Sequence, residues 1–317
     1  MGVLVTGGAG FIGSAVAAAF AEAGHDVRVL DDLSSGRREN VPAEAEFVAG
    51  DVADHDAAAR AVSGVEQVIH LAAHRAVLRS VNDPVATDHA NTHGTVTLLK
   101  ASVDAGVRRF VNVSSSSVYG GATALPTPES HPLRPRSPYA VSKLAGEEYA
   151  RVFADLFGIE TLSLRFFNVY GPRQRPDSAY AAVIPLFIRA LHDGVKPEIH
   201  GDGLQSRSFT YIDDVVAATF AACAANRDAC RGQPYNIAGP VTHTVLDVLH
   251  TLQSLMGSDV AGAHTAERAG DVRHTWGDST AATEALGFRA SIDLHDGLER
   301  TVEWFVKELA PGSHPAP

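Results

Sequence analysis

The chain has 317 residues, 45% of them hydrophobic and 20% charged, so it can bury a sizeable core and has no stretch polar enough to stay unfolded before Pro311. Its 26 basic and 37 acidic residues leave a net charge of -11, which argues against nucleic acid as a partner, because phosphate-backbone binders gather Lys and Arg on one face. Cys223 and Cys230 lack zinc-ligand spacing and read as reduced and structural, and with neither a leader-like start nor a run of about 18 apolar residues the expectation is a cytoplasmic protein without a membrane partner.

β-Branched runs predict strands at 3–6, 26–30, 46–49, 67–71, 109–114 and 161–165, with helical patterns between them at 11–23, 54–63, 84–105 and 138–157. Each helix is long enough to cross over a sheet, so the alternation predicts βαβ units in a parallel sheet. Between the first strand and helix lies Gly7-Gly8-Ala9-Gly10-Phe11-Ile12-Gly13. Glycines there permit a tight turn, close approach of a pyrophosphate, and packing of helix on strand, and they aim the helix N-terminus at the phosphates. The second strand runs into Asp31 and Asp32, 18 residues past Gly13. A carboxylate at that place accepts bonds from a ribose diol and repels a 2′-phosphate, which favours NAD over NADP, although Arg37 and Arg38 follow closely. Taken singly, the glycines suit a plain connector and the aspartates a solvated loop.

The strand at 109–114 ends in Ser114-Ser115-Ser116-Ser117, where hydroxyls at a parallel strand's carboxyl end face the ligand crevice, or equally form a polar loop. Tyr139 and Lys143 are four apart on a predicted helix and share a face. A hydride transfer from an alcohol needs a base for the hydroxyl proton, and neighbouring positive charge is what lowers a phenol from its usual pKa of about 10. Past Arg165 a stretch rich in Pro, Gly and Arg reads as irregular over 166–211, followed by helical patterns at 213–225, 243–256 and 294–308 and a short strand at 235–237. The expected organisation is a nucleotide-binding domain at 1–167, to which 235–237 returns, a smaller domain at 168–310 with a ligand cleft between them, and a flexible tail at 311–317.

Together the segments TGGAGFIGS, VIHLAA, VSSSSVYG, PYAVSK, LRFFNVYGP, FTYIDDV and RAGDVRH resemble the extended short-chain dehydrogenase/reductases, and within them the nucleotide-sugar 4-epimerases. The resemblance implies an α/β fold: a Rossmann-type doubly wound parallel sheet with a smaller α/β C-terminal domain that grips UDP. It implies that NAD is held by Gly7, Gly10, Phe11, Ile12, Gly13, Asp31, Asp32, Ser35, Gly36, Asp51, Val52, Leu71, Ala72, Ala73, Asn91, Ser114, Tyr139, Lys143 and Phe167. For the UDP-sugar it implies Ser115, Ser116, Asn168, Ala181, Ala182, Val183, Arg207, Arg268 and Asp271, arginines being suited to a diphosphate. Tyr139 takes the O4 proton in such enzymes, assisted by Ser115 and Lys143, and no metal is implied. Relatives commonly dimerise through a four-helix bundle, here the helices at 84–105 and 138–157.

Sister dehydratases carry Asp and Glu just before the Val-Tyr-Gly, where this chain has Ser116 and Ser117, so the proton donor and acceptor for eliminating a hydroxyl are missing and epimerisation is favoured. Thr275 stands where some relatives have a bulky tyrosine that excludes an N-acetyl group, which suggests UDP-GlcNAc and UDP-GalNAc as substrates besides UDP-glucose and UDP-galactose. Arg75 and Arg79 lie where the sugar is expected and suit a uronic acid, or else a loop cap or the cofactor phosphates. Ser208 departs from the aspartate that usually follows the phosphate-binding arginine. A dehydratase or decarboxylase, and a non-catalytic NAD-sensing regulator, are the competing readings.

Overall fold

The computed structural model describes residues 1–176, 181–267 and 272–309. Its first half holds strands β1 (Gly2–Thr6), β2 (Asp26–Asp31), β3 (Glu46–Ala49), β4 (Gln67–His70), β5 (Arg109–Ser115) and β6 (Glu160–Phe166). The second half adds β7 (Val169–Tyr170), β8 (Glu198–His200), β9 (Ser206–Ser208), β10 (Thr210–Tyr211), β11 (Arg231–Ile237), β12 (Thr242–Thr244), β13 (Ala263–Thr265) and β14 (His274–Thr275). Helices are α1 (Phe11–Glu22), α2 (His55–Val62), α3 (Val77–Asn82), α4 (Pro84–Asp88), α5 (Gly94–Asp104), α6 (Pro138–Phe157), α7 (Val183–His192), α8 (Ile212–Ala224), α9 (Val245–Met256), α10 (Thr280–Leu286) and α11 (Leu294–Leu309).

Seven strands form one parallel sheet in the order β11-β6-β5-β4-β1-β2-β3, the doubly wound arrangement expected. Alternation along β1 builds its two faces: Val3 and Val5 enter a core with Val16, Phe20 and Ala218, whereas Leu4 enters a second core with Ala58, Leu98 and Leu99. Helices α1 and α8 therefore cover one face, joined by the stacked rings of Phe20 and Phe220 at 3.9 Å, and α2, α5 and α6 cover the other. Buried Arg109 at the start of β5 donates to the carbonyls of Ala222, Cys223 and Ala225 at the end of α8 while pairing with Glu160 at 2.7 Å. It thereby caps a helix terminus that the sheet would otherwise leave unsatisfied.

Three expectations need correction. The chain between 166 and 211 is not irregular: α7 lies there with Ile184, Phe187, Ile188 and Leu191 buried at one helical face, among four short strands. The helix expected at 84–105 is two helices joined by a π turn, His89–His93, and α3 precedes them. The return to the sheet is longer than 235–237, because α8 packs on α1 and all of β11 pairs with β6. The rest of the second half forms small sheets, β9 between β12 and β14, and β8 beside β13. Among the described residues no helix is long and apolar enough to cross a membrane, and both cysteines are free and buried.

Candidate active site

The carboxyl ends of the central strands open into a cleft of about 570 Å³. At its floor, Gly7 has a left-handed φ of 69°, and a Cβ there would lie 2.8 Å from the Ala72 nitrogen; at Gly13 it would lie 2.1 Å from the Gly7 carbonyl. Glycine is thus the one residue the turn accepts. Helix α1 starts behind Gly10 with neither a side-chain cap nor an acidic residue in its first turn, so its positive end is left for a ligand's phosphates. Asp31 braces the turn: its Oδ2 accepts from Ala9 N at 2.9 Å and its Oδ1 from Leu33 N at 2.8 Å, while burial pushes the carboxyl above its usual range. Each oxygen keeps a second lone pair for a ribose hydroxyl.

Helix α6 carries Tyr139 and Lys143 one turn apart. Ser137 accepts from Ala140 N and Pro138 occupies the first turn, so the helix begins one residue before Tyr139. Ser115 ends β5; its Oγ accepts from Ser117 N at 3.2 Å, and its side chain sits beside the Tyr139 phenol, where it favours the ionised form. Lys143 is buried and donates to the Val113 carbonyl at 2.8 Å; burial lowers its pKa to about 8, with Glu147 pulling the other way. Burial pushes the Tyr139 phenol up, opposed by the neighbouring Ser115 side chain and the charge of Arg75. The spacing argument put Lys143 in the role of lowering that phenol; here its ammonium is directed at a backbone carbonyl, and Arg75 is the cation that pulls on Tyr139.

Most of the expected residues line this cleft: Gly7, Gly10, Phe11, Ile12, Gly13, Asp31, Asp32, Ser35, Asp51, Val52, Leu71, Ala72, Ala73, Arg75, Ser114, Ser115, Ser116, Tyr139, Lys143, Phe167, Asn168, Arg207 and Thr275. Others stand behind it. Asn91 is buried, accepting from His74 N at 2.7 Å and donating to Ser142 Oγ at 2.9 Å, so it ties the 71–75 segment to α6. Arg79 bonds His74 at 3.3 Å, and Gly36 packs on Ala9. Ala182 and Val183 line a smaller adjoining cavity of about 220 Å³, which shares Asn168, Gln174 and Arg207 with the cleft, and Ala181 lines neither. Arg268 and Asp271 lie outside the described residues.

On the side of the second half, Asn168 donates to the Ser208 carbonyl at 3.0 Å and to Thr275 Oγ1 at 3.2 Å. Ser208 turns inward to the Gly239 carbonyl, and Arg207 is steered instead by the carbonyls of Ser206 and Arg273. Sequence reasoning missed His74, Arg173, Gln174 and Arg175, all of which line the cleft. The basic string after Gly171-Pro172 was the available signal for the last three. Arg173 reaches Ser14 on α1 at 3.3 Å, and with Ala76 and Asn168 it has a left-handed backbone, a strain that collects at ligand sites. His74 Nδ1, Ser117 Oγ and Gln174 Oε1 are buried without a hydrogen-bond partner, which marks the cleft as built for a polar ligand.

Residues 3–238 match the NAD dependent epimerase/dehydratase family. The chain is similar to a UDP-glucose 4-epimerase of Mycolicibacterium smegmatis, with 39% identity over 96% of this chain and 98% of that one. It is also similar to a dTDP-glucose 4,6-dehydratase of Streptomyces griseus, with 37% identity over 96% and 94%. Among solved structures, the UDP-N-acetylglucosamine 4-epimerase of Methanobrevibacter ruminantium, in complex with UDP-N-acetylmuramic acid, superimposes with a TM-score of 0.92 at 32% identity, covering 97% of this chain and 99% of that one.

Proposed function

This chain belongs to the NAD dependent epimerase/dehydratase family, and from that premise we propose that it interconverts UDP-hexoses by inverting C4 through a transient 4-keto sugar. The observation that carries the reading is Tyr139 with Ser115 beside its phenol and Lys143 one turn along α6, in the cleft that the glycine turn also lines. Bound NAD would supply the hydride acceptor and donor for C4. The capless start of α1 faces its pyrophosphate, Asp31 and Asp32 its ribose, and Asp51 and Val52 its adenine. Tyr139 takes the O4 proton and gives it back, Ser115 orients that hydroxyl, and the Arg75 charge favours the phenolate. Asn168, Val183 and Arg207 receive the uridine diphosphate.

Ser116 and Ser117 line the cleft where the resemblance places the acid and base of the dehydratases, and neither hydroxyl protonates a leaving group at neutral pH. Thr275, small and hydrogen-bonded to Asn168, leaves room for an N-acetyl group, so UDP-GlcNAc and UDP-GalNAc are turned over beside UDP-glucose and UDP-galactose. One observation favours a second substrate reading: Arg75 lies among the charges of Arg175 and Arg79 and faces Tyr139, which suits a carboxylate on the sugar. The protein acts in the cytoplasm as a homodimer: Val77, Leu78, Val81 and Val85 on α3 and α4, and Val141 and Tyr149 on α6, are exposed on helices packed side by side. Incubation without added NAD with UDP-, dTDP- and GDP-linked sugars, followed by separation and mass measurement, tests the whole. The expected product is an isomer of unchanged mass from UDP-hexoses; a product lighter by water or carbon dioxide contradicts it.

A further inference from the structure

Tyr139, Lys143 and Glu147 are spaced four apart on α6 and so stand on one helix face. Glu147 is buried, and so is its partner Arg165 on β6, which grips it with two bonds, Nε to Oε1 at 2.9 Å and Nη2 to Oε2 at 2.7 Å. Oε1 also accepts from Ser114 Oγ at 2.5 Å, and Ser114 precedes Ser115 at the end of β5. Arg165 goes on to Tyr119 OH at 2.9 Å and the Glu129 carbonyl at 3.2 Å, and Tyr119 donates to Asn236 Oδ1 on β11 at 2.7 Å. Asn236 in turn donates to the Asp278 carbonyl at 3.0 Å. A single polar network thus runs beneath the reactive residues, from α6 through three neighbouring strands to the edge of the second half.

We propose that Glu147 is a positioning residue for the reaction: its carboxylate, clamped by Arg165, is the countercharge for Lys143 and the anchor that fixes Ser115 against Tyr139. This rests on the epimerase reading for its purpose, but not for its geometry. A buried ion pair of this kind is weak evidence of stability gained, since well-packed apolar residues often serve as well, so its retention here calls for another reason. Lys143 supplies that reason. Buried as it is, it leans toward the neutral form, and Glu147 is the group that holds it back. The other titratable groups facing it are Tyr139 on α6, His70 on β4, held neutral by burial with a pKa of about 3, and the cation Arg165. None of these is an anion at neutral pH.

The test is a titration of the lysine ammonium signals in 15N-lysine-labelled protein. The chain has Lys100, Lys143, Lys196 and Lys307, so a Lys143→Arg spectrum assigns the signal. Glu147→Gln is expected to lower the Lys143 midpoint by about one pH unit and to move the basic limb of kcat by the same amount. Glu147→Asp, which keeps the charge, is expected to leave the midpoint at the wild-type value while kcat falls. An unchanged Lys143 midpoint in Glu147→Gln overturns the proposal. If that variant does not fold, Glu147→Asp carries the test: kcat is expected to fall about tenfold with KM and bound NAD unchanged, and an unaltered kcat overturns the proposal. Because the titration needs no turnover, it stands or fails separately from the epimerase reading.

Discussion

Tyr139→Phe removes one oxygen. A phenol of pKa 10 costs about 4 kcal/mol to ionise at pH 7, and burial in this cleft raises the cost further, so the resting side chain is protonated. The structure arranges two things to offset that cost: the Ser115 side chain beside the phenol and the charge of Arg75. Deleting the oxygen removes the proton acceptor they serve, and losing a positioned general base costs roughly 10²–10⁴-fold in kcat, or about 3–5 kcal/mol of barrier. Stability should hardly change, because the ring stays and a single hydrogen bond is worth about 1 kcal/mol. Epimer formation is followed by chromatography under saturating substrate, and cofactor retention by the NAD released on denaturation. A rate within tenfold of wild type, or a variant stripped of NAD, would refute the role assigned to the phenol.

Gly13→Ala forces a methyl into the Gly7 carbonyl and is expected to abolish NAD retention even in protein that remains folded, as read from the same release assay. Arg109→Met leaves Glu160 without its buried partner and takes the guanidinium donor from the Ala222, Cys223 and Ala225 carbonyls, of which Cys223 keeps Gln67; the expected loss is about 3–5 kcal/mol, a fall in Tm on the order of 10 °C, with kcat of the folded fraction unchanged. Lys143 binds its proton more weakly in the folded chain, near pH 8, than at its usual 10.5. The native state therefore carries a penalty at every pH below about 8, and that penalty fades as the pH rises from there to 10.5. Lys143→Met should accordingly raise unfolding stability at pH 7 by up to about 3 kcal/mol while eliminating turnover, and a denaturant series at pH 7 and pH 10 checks both size and sign. Val85→Glu, at a residue 78% exposed on α4, tests the proposed homodimer: sedimentation is expected to show a dimer for the wild type and a folded monomer for the variant.

The parallel sheet was legible because strands buried on both faces read as short β-branched runs, and the glycine turn because its collisions are backbone collisions that no other residue avoids. Tyr139 and Lys143 were legible from helical spacing alone. Helix α7 was not, although Ile184, Phe187, Ile188 and Leu191 carry a clear 3.6-residue period. Pro185 inside it, and the Pro, Gly and Arg residues before it, spoke for a loop, and tertiary burial of that face outweighed them. What escaped the sequence entirely was partnership at long range. Asn91, expected at the cofactor, braces His74 against α6, Arg79, weighed for the sugar or for capping its own loop, bonds His74, and Ser208 hands the orientation of Arg207 to main-chain carbonyls. Spacing along a chain names the residues on one helix face; it does not say which polar atoms from other elements will meet them.

The most direct measurement uses UDP-glucose carrying deuterium at C4 of the hexose, incubated with the purified protein in ordinary water and without added NAD. Hydride removed from C4 and returned to its other face requires that the UDP-galactose formed keep the label at C4. Deuterium lost to water, or found at another carbon of a product lighter by one water, contradicts the account.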